Sequence, residues 1–354
     1  MKYRVRNRGC TTGFFDGFKN RQETDTQRRV EAGQAWYNKG VAHYNEEKYA
    51  EAIRCWDKAL ELNKNNDRAW YNKGVVLYKL GNLPDAVSCW DKALEANPGD
   101  APLWNNKGVA LEELGNITEA IECWSRSLAL NPRYDRAWYN KGSGLYNLGN
   151  LAEAIECWDK SLAINPKNDK AWTRKGVALG ELGNLAEAIE CWDRSLEINP
   201  LDDQVWYNKG LAFYKLGNLG DAIRCWDKTL EINPRSFKAW GNKGIAFDEL
   251  GMFPEANHCY DKALEINPHI SDTWNKKGVA LTELGKHREA NGCYDKALEI
   301  NPQSFKAWSN KGTALVNLGK KEEAIGCFEK FIEVAPPQAA SEVENVKKYI
   351  SLLR

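Results

Sequence analysis

The sequence predicts an all-α solenoid of nine helix pairs, and two periodic series of residues carry that prediction. Tryptophan recurs every 34 residues from Trp36 to Trp308, and cysteine recurs with the same period from Cys55 to Cys327. A glycine follows each of these tryptophans by four residues, small enough to let two crossing helices approach closely. A fixed period of this length is typical of proteins that stack one small unit many times.

Each unit is predicted to contain two helices. In residues 67–100, apolar residues at helical spacing begin at Trp70 and stop at Gly81. A second run contains Trp90 and ends before Pro98. Glycine supplies the left-handed backbone that often ends a helix, and proline cannot continue one.

The recurring pattern resembles the tetratricopeptide repeat (TPR) family. Its elements are Trp, Gly four residues later, Ala sixteen residues after Trp, an aromatic residue four residues after that Ala, then another Ala and Pro. The resemblance covers 33–338. It implies a right-handed superhelix of antiparallel helix pairs with a concave groove that binds other proteins. Residues 339–354 carry an apolar helical stripe and are predicted to form a C-terminal capping helix.

Composition excludes several classes of protein. The 354 residues include 49 Lys+Arg and 49 Asp+Glu, so the balance gives no sign of a nucleic-acid or membrane surface. No apolar run is long enough to span a bilayer. Residues 1–32 carry eight basic and four acidic residues and lack a secretory signal pattern. We expect this segment to be a basic N-terminal arm that is mostly disordered.

The cysteine pattern favours a packing role over disulfide bonds or metal binding. Equivalent residues of neighbouring repeats lie roughly 10 Å apart, too far for a disulfide, and the spacing of zinc ligands is absent. We therefore expect buried, reduced thiols and a cytoplasmic protein. The four histidines suggest no catalytic arrangement, and no phosphate-binding glycine motif is present. The sequence predicts neither enzyme activity, nor a cofactor, nor a metal site.

A row of nine lysines, three residues after each periodic tryptophan, has two interpretations. The row runs from Lys39 to Lys311 and provides a basic stripe for an acidic partner or an RNA backbone. In the structural interpretation, which we favour, each lysine stem lies along its tryptophan and a carboxylate of the second helix neutralises the charge. Ser125 takes the place of that acid in the third repeat.

The resemblance places the groove on the first helix of each repeat. The candidate contact residues are tyrosines one and eight residues after Trp: Tyr37, Tyr44, Tyr71, Tyr78, Tyr139, Tyr146, Tyr207 and Tyr214. Asparagines two residues after Trp suit hydrogen bonds to an extended peptide: Asn38, Asn72, Asn106, Asn140 and Asn208. An alternative is that tyrosine is simply the family's usual residue there.

Some TPR co-chaperones hold a terminal carboxylate in a clamp, and this sequence matches it in part. Asn140, Lys170 and Arg174 match three places of the clamp, whereas Asn105 and Val109 do not match the others. Lys170 and Arg174 are therefore further groove candidates.

The predicted function is a non-catalytic scaffold that binds an extended or helical segment of a partner protein. Two alternatives remain open: a nucleic-acid-binding solenoid, and a scaffold that assembles with itself through the solenoid ends. The sequence does not identify the partner.

Overall fold

The computed structural model describes the backbone of residues 12–354 and the side chains of residues 27–354. The chain divides into two compact units, Met1–Lys167 and Asn168–Arg354. The first unit contains repeats one to four, and the second contains repeats five to nine and the C-terminal helix. Among the described residues, all regular structure is helical.

Helices of the first unit alternate between the first and second helix of each repeat. They are α1 (Thr12–Asn45), α2 (Tyr49–Leu62), α3 (Asp67–Lys79), α4 (Leu83–Ala96), α5 (Ala101–Glu113), α6 (Ile117–Leu130), α7 (Asp135–Asn147) and α8 (Leu151–Ile164).

The second unit continues the same alternation. Its helices are α9 (Asp169–Glu181), α10 (Leu185–Ile198), α11 (Asp203–Lys215), α12 (Leu219–Ile232), α13 (Phe237–Glu249), α14 (Phe253–Ile266), α15 (Ser271–Glu283), α16 (His287–Ile300), α17 (Phe305–Asn317), α18 (Lys321–Val334) and α19 (Ala340–Leu353). A short 3₁₀ helix, Pro337–Ala339, precedes α19.

Turn chemistry sets the ends of the helices. Asn66 caps α3 by accepting a hydrogen bond from the backbone N–H of Ala69, as short polar residues at this position commonly do. The first helices from α3 to α17 end before a glycine with positive φ, such as Gly81 at 77°. In repeat one Glu47 occupies that position, with a φ of 58°. A residue with a Cβ is strained in this left-handed region.

Close crossing of the two helices depends on the glycine four residues after Trp. A Cβ built on Gly244 would lie 2.6 Å from Cε1 of Tyr260, the aromatic residue of the second helix. In repeat five the corresponding Cβ on Gly176 would lie 2.6 Å from Nε1 of Trp192. The prediction that a small residue lets the helices approach is therefore confirmed.

In repeats one to four and in repeat six, the indole N–H of the second-helix tryptophan donates a hydrogen bond to the first helix. Trp90 donates to the carbonyl oxygen of Tyr71, with 3.2 Å between the nitrogen and the oxygen. Trp158 donates to the carbonyl oxygen of Tyr139 in the same way, at 3.2 Å. These bonds give a buried polar group its partner, which burial requires.

The boundary proposed at residue 32 does not coincide with the end of a helix. Helix α1 begins at Thr12 and continues without interruption into the first helix of repeat one. No proline occurs before Pro84, so nothing in this stretch blocks the helical backbone. Residues 1–11 lie outside the described residues, and the disorder expected of the arm stays a prediction.

The C-terminal helix predicted from the apolar stripe is confirmed. Helix α19 packs on α18 through Ile350, which is 7 % exposed, and through Tyr349, whose ring centroid lies 5.6 Å from that of Phe328. Arg354 also pairs with Glu329, with 2.9 Å between Nη2 and Oε1. The helix therefore covers apolar surface that a further repeat would otherwise cover.

Candidate functional site

We call the surface formed by residues one, two, five, eight and nine positions after each periodic tryptophan the groove face. The eight candidate tyrosines are half-buried on this face, as are Asn72, Asn106, Asn140 and Asn208, whereas Asn38 is exposed. Lys170 and Arg174 are exposed on α9, four residues apart and therefore on one side of that helix.

Several asparagines of the groove face link neighbouring repeats. Nδ2 of Asn72 donates to the hydroxyl of Tyr37 at 3.2 Å, and Nδ2 of Asn242 donates to the hydroxyl of Tyr207 at 3.0 Å. Asn140 makes the same link to Oδ1 of Asn105 at 2.9 Å. An amide has two N–H donors and a carbonyl acceptor, so each link uses one donor. The role assigned to these amides, binding a partner's backbone, stays a prediction.

The tyrosines eight residues after Trp pack against the second-helix tryptophan of their own repeat. The ring centroids of Tyr214 and Trp226 lie 6.1 Å apart, and those of Tyr146 and Trp158 lie 6.0 Å apart. Such aromatic pairs add stability beyond the area that they bury. These tyrosines are therefore packing residues as well as groove candidates, which the sequence did not indicate.

Hydroxyl groups of these tyrosines contact the following repeat. Tyr78 donates to the carboxylate of Glu113; burial and this bond raise the pKa of Tyr78 to about 12. In repeat one the hydroxyl of Tyr44 instead accepts a hydrogen bond from Nζ of Lys79 at 2.6 Å. The residue that contacts the tyrosine lies 35 positions further along the chain in both cases.

In repeats seven to nine, the residue eight positions after Trp varies together with the aromatic residue of the second helix. Tyr260 replaces tryptophan in repeat seven and donates to Asp248, whereas the hydroxyl of Tyr294 lies 3.0 Å from Oγ1 of Thr282 in repeat eight. In repeat nine Phe328 has no hydroxyl, and the apolar Val316 packs beside it. Sequence reasoning missed this correlation, which appears when the two positions, twelve residues apart, are compared repeat by repeat.

Repeat five differs because it has Gly180 at this position. A pocket of about 180 Å³ lies over the indole of Trp192, with Val177, Leu185 and Leu211 among its apolar walls. Glu181, Asn208 and Lys215 supply polar atoms around it. Of these residues, only Asn208 was among the predicted site residues.

Six lysines of the row have the structural role that we favoured. Nζ of Lys73 lies 2.5 Å from Oδ1 of Asp57 in the preceding repeat and 5.7 Å from the ring centroid of Trp70. The side chains of the paired lysines are only 12–20 % exposed. Equivalent pairs are Lys107–Asp91, Lys209–Asp193, Lys243–Asp227, Lys277–Asp261 and Lys311–Asp295.

The partial clamp is not assembled within either unit. Asn140 belongs to the first unit, whereas Lys170 and Arg174 belong to the second. The carboxylate-binding role of these residues stays a prediction.

The nine periodic cysteines are buried, as predicted, and form no disulfide. Cys123 and Cys259 are 5 % and 2 % exposed, and burial raises the pKa of each thiol to about 11. A thiol with a raised pKa is unreactive at neutral pH. Cys10 lies outside the described residues. Where the structure describes side chains, no group of His, Cys, Asp or Glu is arranged to hold a metal ion.

In the described part of the chain, no helix has both the length and the apolar character needed to cross a membrane.

Comparison with protein families shows where the chain belongs. Models described as tetratricopeptide repeat match residues 37–101, 101–134, 135–168, 157–190, 204–236, 237–270, 271–304 and 293–326, and one described as TPR repeat matches 178–217. The chain belongs to the tetratricopeptide repeat family. Solenoids of this kind present an extended surface on which they bind other proteins.

Solved structures share the fold. The C-terminal part of a TPR repeat-containing protein from Cytophaga hutchinsonii is 18 % identical, with a TM-score of 0.60, over 68 % of this chain and 98 % of its own. A tetratricopeptide repeat protein from Parabacteroides merdae is 20 % identical, with a TM-score of 0.50, over 72 % and 98 %. PilF from Pseudomonas aeruginosa is 19 % identical, with a TM-score of 0.50, over 63 % and 98 %. No curated protein matches the sequence.

Proposed function

We propose that this chain is a non-catalytic scaffold that binds an extended segment of a partner protein along its groove face. The main support is the preorganisation of that face, where hydrogen bonds such as Asn242 to Tyr207 hold polar and aromatic side chains in place between repeats. Preorganised side chains lose little entropy when a partner binds. Tyrosine provides a large contact area at low entropic cost.

Nucleic-acid binding is the less favoured function because six lysines of the row are already paired with carboxylates. A lysine such as Lys73 would have to leave Asp57 to contact a phosphate. Phosphate binding depends steeply on salt. Retention on RNA that falls with rising salt would therefore support that alternative.

The compartment that we propose is the cytoplasm. Among the described residues, the nine buried cysteines form no disulfide, and thiols that do not form disulfides fit a reducing environment.

Capture from a lysate of the native cell tests the proposed function. The full-length chain is compared with a variant carrying Tyr71→Ala and Tyr207→Ala, which removes two groove-face rings. The matched control carries Glu61→Ala and Glu231→Ala on exposed positions of the second helices. We expect one or more proteins bound by the wild type and the control to be lost from the groove variant. Equal capture by all three would contradict binding at this face.

A further inference from the structure

The pocket over Trp192 lies where other repeats place a tyrosine ring. Tyrosine stands at the position of Gly180 in repeats one, two, four and six, and its ring centroid lies 5.9–6.3 Å from that of the second-helix tryptophan. In repeat five a Cβ on Gly180 would lie 3.5 Å from Cη2 of Trp192, an ordinary contact. The backbone of repeat five therefore has room for a side chain that its sequence does not supply.

The size of the pocket suits one side chain and not a whole small molecule. Its volume of about 180 Å³ is smaller than the ~300–1,000 Å³ of pockets that bury drug-sized ligands. The walls formed by Leu185, Leu211 and Ala212 are apolar, so an occupant gains most by presenting an apolar body.

A cation at the rim adds a polar requirement. Lys215 is 35 residues after Gly180, the spacing that separates Tyr44 from Lys79. Nζ of Lys79 donates to the hydroxyl of Tyr44 at 2.6 Å and lies 4.6 Å from its ring centroid. Lys215 is exposed at the equivalent place in the pocket. A phenol ring entering the pocket from outside would bring its oxygen to this ammonium.

We propose that this pocket binds a tyrosine side chain of the partner segment, which replaces the ring missing from repeat five. The proposal rests on the proposed function, since the tyrosine belongs to a segment lying on the groove face. Phenylalanine would fill the apolar part but leave Lys215 without its hydrogen bond. An aspartate would meet the ammonium but leave the walls around Trp192 uncovered.

Synthetic peptide libraries provide the test. Three libraries of nine-residue peptides carry a fixed central Tyr, Phe or Ala, and their binding to the full-length chain is measured by fluorescence polarisation. The blocking variant is Gly180→Tyr, which inserts the residue that four other repeats already have. The control is Lys228→Tyr, which inserts the same side chain at an exposed position of a second helix, away from the groove face. Circular dichroism checks that both variants fold.

We expect the tyrosine library to bind the wild type and the Lys228→Tyr control most strongly, and to lose at least ~10-fold in affinity with Gly180→Tyr. Lys215→Met removes the hydrogen-bond donor, leaves the pocket open and is expected to reduce the preference for Tyr over Phe without weakening the Phe library. This second variant keeps the test decisive even if Gly180→Tyr does not fold.

Three other results would overturn the proposal, and they differ in what they mean. If tyrosine peptides bind the Gly180→Tyr variant as tightly as the wild type, the proposed role of the pocket is wrong, but the proposed scaffold function is not affected. Absence of binding by every library would count against both the pocket and the scaffold. A wild-type chain that dimerises in sedimentation, with a monomeric Gly180→Tyr variant, would show that a second copy fills the pocket.

Discussion

The hydroxyl of Tyr260 donates a hydrogen bond to Asp248, twelve residues earlier in the same repeat, with 2.5 Å between Oη and Oδ2. Burial raises the pKa of the Asp248 carboxyl, and Tyr260 is fully buried. The pair shows that the position eight residues after Trp is matched to the second-helix aromatic residue. Variation at this position in repeats seven to nine therefore reflects packing within the repeat.

Removal of one member of this pair is expected to cost more than removal of both. Asp248→Ala leaves a buried hydroxyl without a partner, which destabilises the fold by about 1–3 kcal/mol. Adding Tyr260→Phe removes that hydroxyl and should recover most of the loss. Urea unfolding followed by helicity measures Asp248→Ala, Tyr260→Phe and the double variant. Costs that simply add would show that the two side chains do not interact.

Two glycines of α13 are expected to respond to alanine in opposite directions. A Cβ on Gly244 would lie 2.6 Å from the ring of Tyr260, so Gly244→Ala should destabilise the protein by about 1–3 kcal/mol. No atom lies within 4 Å of a Cβ on Gly241, so Gly241→Ala should stabilise it by about 0.5–1 kcal/mol. Thermal unfolding compares them, and equal effects would contradict the close helix crossing.

The strained turn of repeat one offers a stabilising substitution. Glu47 has a φ of 58°, where later repeats have glycine. Glu47→Gly should therefore stabilise the protein by about 1 kcal/mol. Glu47→Ala keeps the Cβ and is the matched control, with little change expected. A larger gain from alanine than from glycine in urea unfolding would show that the backbone is not strained there.

Buried thiols predict a loss of stability at high pH. Burial raises the pKa of Cys123, Cys225 and Cys259 from 9.0 to about 11. Because the pKa is higher in the folded state, the protonated thiol stabilises the fold. This stabilisation is fully present below pH 9 and is lost as the pH rises towards 11. Between pH 9 and pH 11, each thiol lowers the free energy of unfolding by at most ~1.4 kcal/mol per pH unit.

The midpoint of urea unfolding at pH 8 and at pH 10 tests this prediction about the thiols. Replacing these three cysteines with alanine should flatten the decline relative to the wild type. An equal decline in both proteins would assign the alkaline sensitivity to other groups.

Much of the fold follows from local patterns in the sequence. The glycine facing Tyr260, the acid facing Lys73 and the buried thiols all recur at one period, so their partners could be predicted. Other features depend on contacts that a period does not reveal. Asp248 and Tyr260 both occupy positions that vary between repeats, so periodicity does not reveal their hydrogen bond. The pocket at Gly180 exists because this position lacks a side chain. The hydrogen bond that Asn72 donates to Tyr37 depends on how neighbouring repeats stack.

The proposed function is tested most directly by photo-crosslinking from the groove face. A photoreactive phenylalanine analogue is placed two residues after Trp in three successive repeats of the second unit, at positions 174, 208 and 242. A control variant carries it at position 228, where Lys228 is 52 % exposed on a second helix. Each variant is crosslinked to a captured partner, and the modified partner residues are identified by mass spectrometry.

Neighbouring first helices lie roughly 10 Å apart, and an extended chain advances ~3.3 Å per residue. We therefore predict that the three groove positions crosslink to partner residues about three positions apart and in consistent order, while position 228 gives no crosslink. Crosslinks from position 228 alone would contradict binding of an extended segment along the groove face.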